Sequence, residues 1–524
     1  MAIPQLRELG FAKFQEAEWR EYQAETLAEA IGTDKKFILV QAPTGFGKSP
    51  LAMAAGKLVA PQVQRAIGNE VLAPQSSVLT GTKQLQKQYL SDFEDYAVEV
   101  KGRGNFGCLD DPQVTAADAS CTVGSARDCD YYAACPYYRQ RNLALDAPEV
   151  IHSYAYGLRS LSGFGKQSLM VLDEAHLLDD QLMSYVTSSV HRFACDMFDV
   201  RYPPANAEWS WSDWHSWAEV YHDELRDAVR ALRKQAEENV ATRKRFRHGQ
   251  VLAKTLELLV NAEDPWVCVP SKTGWDFMPV WIDKLADAYL YQRANKVMLM
   301  SGTILDPELF SRIVGIDPAD THFIDVPSTF PIGSKPVIYW PAQAVKSGID
   351  LTDTVERVNE IIEDHPGQKG LVHCVSYAVA DAIRKGASKD VSRRLVSHTA
   401  SDRLEVYDAF RVGAPDGVLL SPSMKEGVSL EDEQCEFIVI PKMPYPYLGS
   451  PQIKARMQTP FGQRWYAWRT FCDTIQMAGR GMRSKEDHCK VYITDANFAR
   501  LFRQMRKYIP RYWLDDLVDT TGSL

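Results

Sequence analysis

Residues 37–60 read FILVQAPTGFGKSPLAMAAGKLVA, and the fold is decided there. The run Phe37 to Gln41 suits a short strand buried on both faces. The loop Ala42-Pro43-Thr44-Gly45-Phe46-Gly47-Lys48-Ser49 follows, and Leu51 to Ala60 has a helical pattern. Strand, glycine loop and helix is the context of a phosphate-binding loop. Gly45 and Gly47 let backbone N–H groups converge on a phosphate. Lys48 brings positive charge to the β- and γ-phosphates, and the Ser49 hydroxyl suits Mg2+. The helix that starts near Lys48 aims its positive end at the anion. The general pattern opens on glycine, where this chain has Ala42.

Two further segments complete an ATP site. Val171-Leu172-Asp173-Glu174-Ala175-His176 is an apolar run ending in two acids. At the carboxyl end of a strand expected beside the loop strand, Asp173 can hold Mg2+ and Glu174 can deprotonate water. Near the C-terminus stands Gln476-Met477-Ala478-Gly479-Arg480-Gly481-Met482-Arg483. Arg480 and Arg483 lie three apart, on one helix face. Arginines brought from another domain stabilise charge on a transferring phosphoryl group. Gln476 suits positioning the water or sensing the γ-phosphate. The expected catalytic set is Lys48, Asp173, Glu174, Gln476, Arg480 and Arg483.

The chain has 524 residues, enough for two or more domains, with 45% hydrophobic and 24% charged residues. Its net charge of −9 argues against a uniformly basic nucleic-acid coat but not against a local basic channel. No run of transmembrane length and no secretory leader is legible, so a cytoplasmic place, nucleoid-associated in a bacterial host, is expected. Of ten cysteines, Cys108, Cys121, Cys129 and Cys135 crowd together as C-x12-C-x7-C-x5-C. That spacing admits an iron–sulfur cluster or, without tight cysteine pairs, less readily zinc. The other six read as small buried hydrophobes. After residue 330, strand-like runs recur with helices between several of them, a second α/β unit.

The loop, Asp-Glu-Ala-His and Gln-x-x-Gly-Arg-x-x-Arg, in this order, resemble the superfamily 2 helicases. Ser301-Gly302-Thr303 and Ser423 to Ser429 resemble that superfamily's third and fifth motifs, and Arg20 and Gln23 sit where it reads adenine. The position of the four cysteines is similar to that in XPD/DinG-like helicases, as are Thr80 to Gln86, Val150 to Leu158 and Lys425 to Pro446. The resemblance spans about residues 15–500. It implies two RecA-like α/β P-loop domains, the first carrying a [4Fe–4S] insertion held by the four cysteines and a helical Arch. The expected division is 1–100, 150–179 and 291–309 for the first RecA-like domain, 101–149 for the cluster insertion, 180–290 for the Arch and 310–524 for the second. The cofactors implied are ATP, Mg2+ and the cluster. The implied activity is 5′→3′ travel on single-stranded DNA with unwinding of duplex or forked DNA in repair, recombination or replication. The chain is expected to be monomeric, with single-stranded-DNA-binding or repair proteins as partners. The alternative is a structure-specific DNA-stimulated ATPase or translocase that separates strands poorly. The family has Asp where this chain has Ser429, which bears on one contact between the domains.

For the strand itself, Thr82, Lys83 and Gln86 suit phosphates. Lys101 and Arg103, with Tyr137 and Tyr138 among other aromatics, form a basic, aromatic patch fit for stacking or for packing the cysteine lobe. The Lys442 to Tyr447 loop is rigid, basic and aromatic. The tryptophans at 209–217 read as helix packing, and Arg243 to Arg247 as a solvated face.

Overall fold

The computed structural model describes residues 3–59, 65–67, 70–203, 208–342, 350–422, 435–481 and 488–524. The buried run Phe37–Gln41 forms a strand of a seven-stranded sheet. From edge to edge the order is Thr321–Asp325, Phe37–Gln41, Ala294–Ser301, Gln167–Asp173, Ser76–Thr80, Glu149–Ser153 and Ala97–Val100, with every pairing parallel. Parallel order forces crossovers, and the helices that make them cover both faces.

Two expectations change here. The acid-bearing strand Gln167–Asp173 does not lie beside the loop strand, because Ala294–Ser301 pairs with both. That intervening strand brings Ser301 between loop and acids. The strand Thr321–Asp325, beyond a boundary at 309, pairs with Phe37–Gln41 and belongs to the first sheet. Its alternation is weak and its place at the edge is set by a distant partner, so no local pattern announces it.

The second sheet is also seven-stranded and parallel, in the order Leu395–Ser397, Val418–Ser421, Gly370–His373, Phe437–Ile440, Lys490–Ile493, Val337–Tyr339 and Leu517–Asp519. One apolar cluster runs from Leu39, Leu172 and Leu299 of the first sheet to Leu371, Ile438 and Ile493 of the second. The helix Gly462–Ala478 lies in that cluster, with Trp465, Trp468 and Phe471 buried.

Two insertions leave the first sheet. The cysteine stretch folds into short turns and one helix, Pro136–Asp146, with Cys135 at its N-cap and proline in its first turn. The other is a hairpin of helices Trp211–Glu238 and Val240–Val260, begun by the Ser210 capping box and the Asn239 cap. It is not purely helical, since a three-stranded antiparallel sheet of Ser188–His191, Gly274–Met278 and Val267–Pro270 stands at its foot. Trp214 and Trp217 are buried in its core, as packing requires. Among the described residues no helix is long and apolar enough to cross a membrane.

Candidate active site

The loop leaves its strand with Gly45 at φ +83° and Gly47 at φ +85°. Both are left-handed, where a side chain is strained. A Cβ on Gly47 would meet Gln23 Nε2 at 2.5 Å. Gln23 Nε2 donates to the Phe46 carbonyl at 2.7 Å and the Gly47 carbonyl at 3.2 Å. Arg20 Nη1 donates to the Gly45 carbonyl at 2.9 Å. Arg20 and Gln23 therefore brace the loop and line the cavity beside it. With the carbonyls tied back, the loop N–H groups are left for an anion. The helix Lys48–Val59 starts at the end of the loop, and Lys48 Nζ donates to the Ala42 carbonyl at 3.4 Å.

Ser49 and Asp173 meet at a phenol that the sequence reading missed. The buried Tyr89 hydroxyl donates to Asp173 Oδ2 at 2.8 Å and is within hydrogen-bonding reach of the Ser49 hydroxyl. Tyr89 lies on the helix Lys83–Phe93 and carries no motif signature. Tyr154 donates to the Asp173 carbonyl at 3.1 Å. Burial and the Glu174 charge raise the Asp173 carboxyl to about 6, against the opposing effect of Lys48. Glu174 takes a left-handed φ of 52°. Burial pushes its pKa up, but the charges of His176 (present only in acid), Lys48 and Arg480 outweigh that and hold it below the ordinary carboxylate value. Glu174 is a carboxylate at neutral pH and so can accept a proton from water.

A polar chain runs from Glu174 to the second half of the molecule. Glu174 Oε2 approaches His176 Nδ1 to 3.3 Å without a hydrogen bond, and the same Nδ1 is hydrogen-bonded to Ser301 Oγ at 2.9 Å. Burial lowers His176 to about 4, so the ring is neutral. The Thr303 N–H donates to Ser301 Oγ at 3.0 Å, and Gln476 Nε2 donates to Thr303 Oγ1 at 3.0 Å. Gly479 faces the loop closely, since a Cβ there would stand 3.4 Å from Thr44 Oγ1. Arg480 is near enough to influence Glu174 and His176, and it adds to the burial that lowers His373 to about 3. A cavity of about 480 Å³ is lined by Arg20, Thr44, Lys48, Asp173, Glu174 and Arg480, among others. Arg483 and the Ser423 to Ser429 segment lie outside the described residues.

The structure revises the strand-binding surfaces. Tyr137 and Tyr138 are each only 5% exposed and form the core of the cysteine lobe, so stacking on bases is closed to them here. Arg103 lies over both rings, 4.7 and 5.1 Å from the centroids. It donates to the Tyr138 hydroxyl at 2.7 Å, and its Nη1 is 3.9 Å from Cys121 Sγ. Lys101 is exposed and pairs with Glu99 at 2.9 Å. Thr82 caps the helix Lys83–Phe93 by accepting from the Leu85 N–H, Gln86 is buried, and Lys83 is exposed. In the 442–447 loop, Tyr445 stacks on Tyr466 and Tyr447 is 79% exposed.

Arg243 and Arg247 do not form a solvated face. Arg243 is buried and donates to the Ala236, Glu237 and Asp118 carbonyls. Arg247 pairs with the Asp118 carboxylate and donates to the Ala117 carbonyl at 2.7 Å and Thr122 Oγ1 at 3.2 Å. These arginines fasten the helical hairpin to the cysteine lobe. Within that lobe none of the four cysteines is in a disulfide, and all are half-buried. Burial raises the Cys129 thiol, and Cys121 and Cys108 are near enough to add to the effect. Thiol donors in one lobe, with an N–H and an O–H directed at Cys121 sulfur, match the chemistry of an iron–sulfur ligand set. Among the described residues, no three His, Cys, Asp or Glu side chains are drawn into a shell ready to hold a metal ion.

A phosphate-binding loop, an acid pair and a Gly-Arg segment from a second parallel α/β unit define a two-part P-loop motor ATPase. Two family models match, the DEAD/DEAH box helicase over residues 20–198 and the helicase C-terminal domain over residues 358–515, together more than half of the chain. The chain is similar to a solved structure titled XPD_Helicase, with TM-score 0.64 at 15% identity over 96% of this chain and 100% of that one. It is also similar to XPD_APO, with TM-score 0.58 at 14% identity over 95% and 100%. The S. tokodaii Xpd4 structure gives TM-score 0.57 at 13% identity over 96% and 100%. No curated protein matches the chain. The chain belongs to the superfamily 2 helicases, ATP-hydrolysing motors, and is XPD-like in fold.

Proposed function

We propose that the chain is an ATP-dependent DNA helicase that travels 5′→3′ on single-stranded DNA and opens duplex or forked DNA in repair, recombination or replication. The observation that carries the motor part of this reading is the line of polar contacts Glu174–His176–Ser301–Thr303–Gln476, which links the hydrolytic acid to the second half, while DNA, direction and process rest on the resemblance to XPD/DinG-like helicases. A change at the γ-phosphate then alters the contact between the halves. Lys48 and the loop N–H groups bind the phosphates, Ser49 and Asp173 would hold Mg2+, and Glu174 takes the proton of the attacking water. Arg480 faces the charge that develops, and Gln476 senses it; Arg483 is assigned the same task as Arg480 on its spacing. Exposed Lys83 and Lys101 are the strand contacts retained for the first half.

Cys108, Cys121, Cys129 and Cys135 would hold a [4Fe–4S] cluster. When bound, such a cluster supplies four iron–thiolate bonds that cross-link the lobe. On this reading the lobe and the Arch interrupt the first RecA-like unit, which we carry to Asp325 because its edge strand pairs with Phe37–Gln41. Single-stranded and forked DNA, with single-stranded-DNA-binding or repair proteins, are the partners of a monomeric chain working in the cytoplasm.

Phosphate release and strand separation measured together on 5′-tailed, 3′-tailed, forked and bubble DNA test the reading. Strand release is expected from 5′-tailed and forked substrates, and Lys48→Ala should abolish both signals. Release from 3′-tailed DNA alone would overturn the polarity. Hydrolysis without strand release would favour the translocase, and unchanged hydrolysis in Lys48→Ala would reject the site.

A further inference from the structure

We propose that Arg456 is a positioning residue that couples the nucleotide state of the acid pair to the foot of the helical hairpin. This rests on the reading of the chain as a motor and names a route by which that site is read out. Arg456 lies in the second half, on the helix Pro451–Met457, yet its side chain is held by two other parts of the molecule. Nη1 and Nη2 donate to the two Asp179 oxygens at 2.6 and 2.9 Å. Nε donates to the Val280 carbonyl at 2.8 Å. The guanidinium sits over the rings of Trp281 and Trp465, 4.6 and 4.7 Å from their centroids. Arg456 and Asp179 side chains are 3% and 4% exposed.

Each partner belongs to a different part. Asp179 lies six residues after Asp173, and the chain between them has no slack. The strand ends at Asp173, Glu174 makes one left-handed step, Ala175–Leu177 is a tight turn, and Leu178–Val186 is a helix. A displacement of the acids is therefore passed to Asp179. Val280 and Trp281 follow the strand Gly274–Met278, where the chain returns from the hairpin. The same return segment is held to the second half by Gln452, which donates to the Pro279 carbonyl at 3.1 Å, and by Trp281 against Phe461 at 4.5 Å. Thus one guanidinium touches the acid element, the hairpin foot and a tryptophan of its own half. Planar bidentate pairing and stacking on two rings need arginine; lysine keeps the charge and loses the geometry.

The test follows the distance between the hairpin and the second half. Fluorophores on unnatural side chains at Val240 and Val412, which are 48% and 88% exposed, report it by energy transfer. In the full chain, ADP with beryllium fluoride should shift the transfer signal. Arg456→Lys should lose that shift and lower nucleic-acid stimulation of hydrolysis by about tenfold, leaving hydrolysis without nucleic acid within about twofold. Removing one partner strands a buried charge, so Asp179→Asn combined with Arg456→Met serves as a neutral pair and should behave alike. A full shift in either variant overturns the proposal, as does a wild-type chain with no shift. Equal loss of basal and stimulated hydrolysis with a lowered Tm also overturns it, since that marks plain interface packing. The transfer signal requires nucleotide binding alone, so a wild-type chain that shifts but unwinds nothing rejects the helicase reading and spares this one.

Discussion

Glu149 opens the strand Glu149–Ser153 and is wholly buried, its carboxyl against Gly56 of the loop helix with no protein hydrogen-bond partner. Burial raises its pKa well above the ordinary carboxylate value. The sign of the linkage follows. With the folded value above the unfolded one, the folded chain holds the proton to higher pH, and stability falls as pH rises between the two values. Glu149→Gln removes that ionisation. Its thermal midpoint should exceed that of wild type by a few degrees near neutral pH, and the gap should close as pH falls to about 4. A midpoint equal to or below wild type at every pH would show that the carboxyl contributes to stability. At this scale motif chemistry singles out Lys48, Ser49, Asp173, Glu174 and Gln476, and the structure brings them to the lining of one cavity. Motif chemistry misses Tyr89, which acts through position alone, and it cannot separate buried from exposed tyrosines. Tyr137 and Tyr138 are side by side in the chain and both turn inward, because the first turn of Pro136–Asp146 packs on Val100 and Tyr156.

Elements repeat that division between local and distant causes. Strand, loop and helix at Phe37 to Val59 were legible because every cause is local: apolar run, left-handed glycines and helix start. Strand order was not, because the partner of Phe37–Gln41 on one side comes from residues 294–301 and on the other from 321–325. Within the basic run at 243–247, Lys244 and Arg245 are exposed as expected, whereas Arg243 and Arg247 turn inward because acceptors for them lie in the cysteine lobe more than a hundred residues earlier. Arg247→Ala tests that docking. It removes the pair with Asp118 and two hydrogen bonds, contacts of about 1 kcal/mol each at most for partly exposed groups. Amide exchange at residues 115–125 and thiol labelling of Cys121 should both accelerate, with hydrolysis in the absence of nucleic acid unchanged. Unaltered exchange there would mean that the hairpin and the lobe hold together without Arg247.

Over the whole molecule, 68 acidic residues outnumber 59 basic ones. The net field repels a polyanion, so any grip on a nucleic-acid strand depends on cations placed along its path. Several arginines near the two insertions are unavailable for that task, because Arg103, Arg243 and Arg247 are spent on internal contacts. Exposed lysines such as Lys83 remain. Each phosphate neutralised on a single strand changes the slope of log affinity against log salt by roughly −0.7. Affinity for single-stranded DNA should therefore fall steeply with salt, and Lys83→Ala should flatten the slope by roughly 0.7 if it meets one phosphate. Arg247→Ala should weaken binding, if at all, with the slope unchanged, because it reaches the strand only through the lobe it fastens. Titrations of wild type and both variants at several salt concentrations separate the two kinds of cation. A slope reduced by Arg247→Ala and not by Lys83→Ala would place the strand against the hairpin and lobe instead of the first sheet.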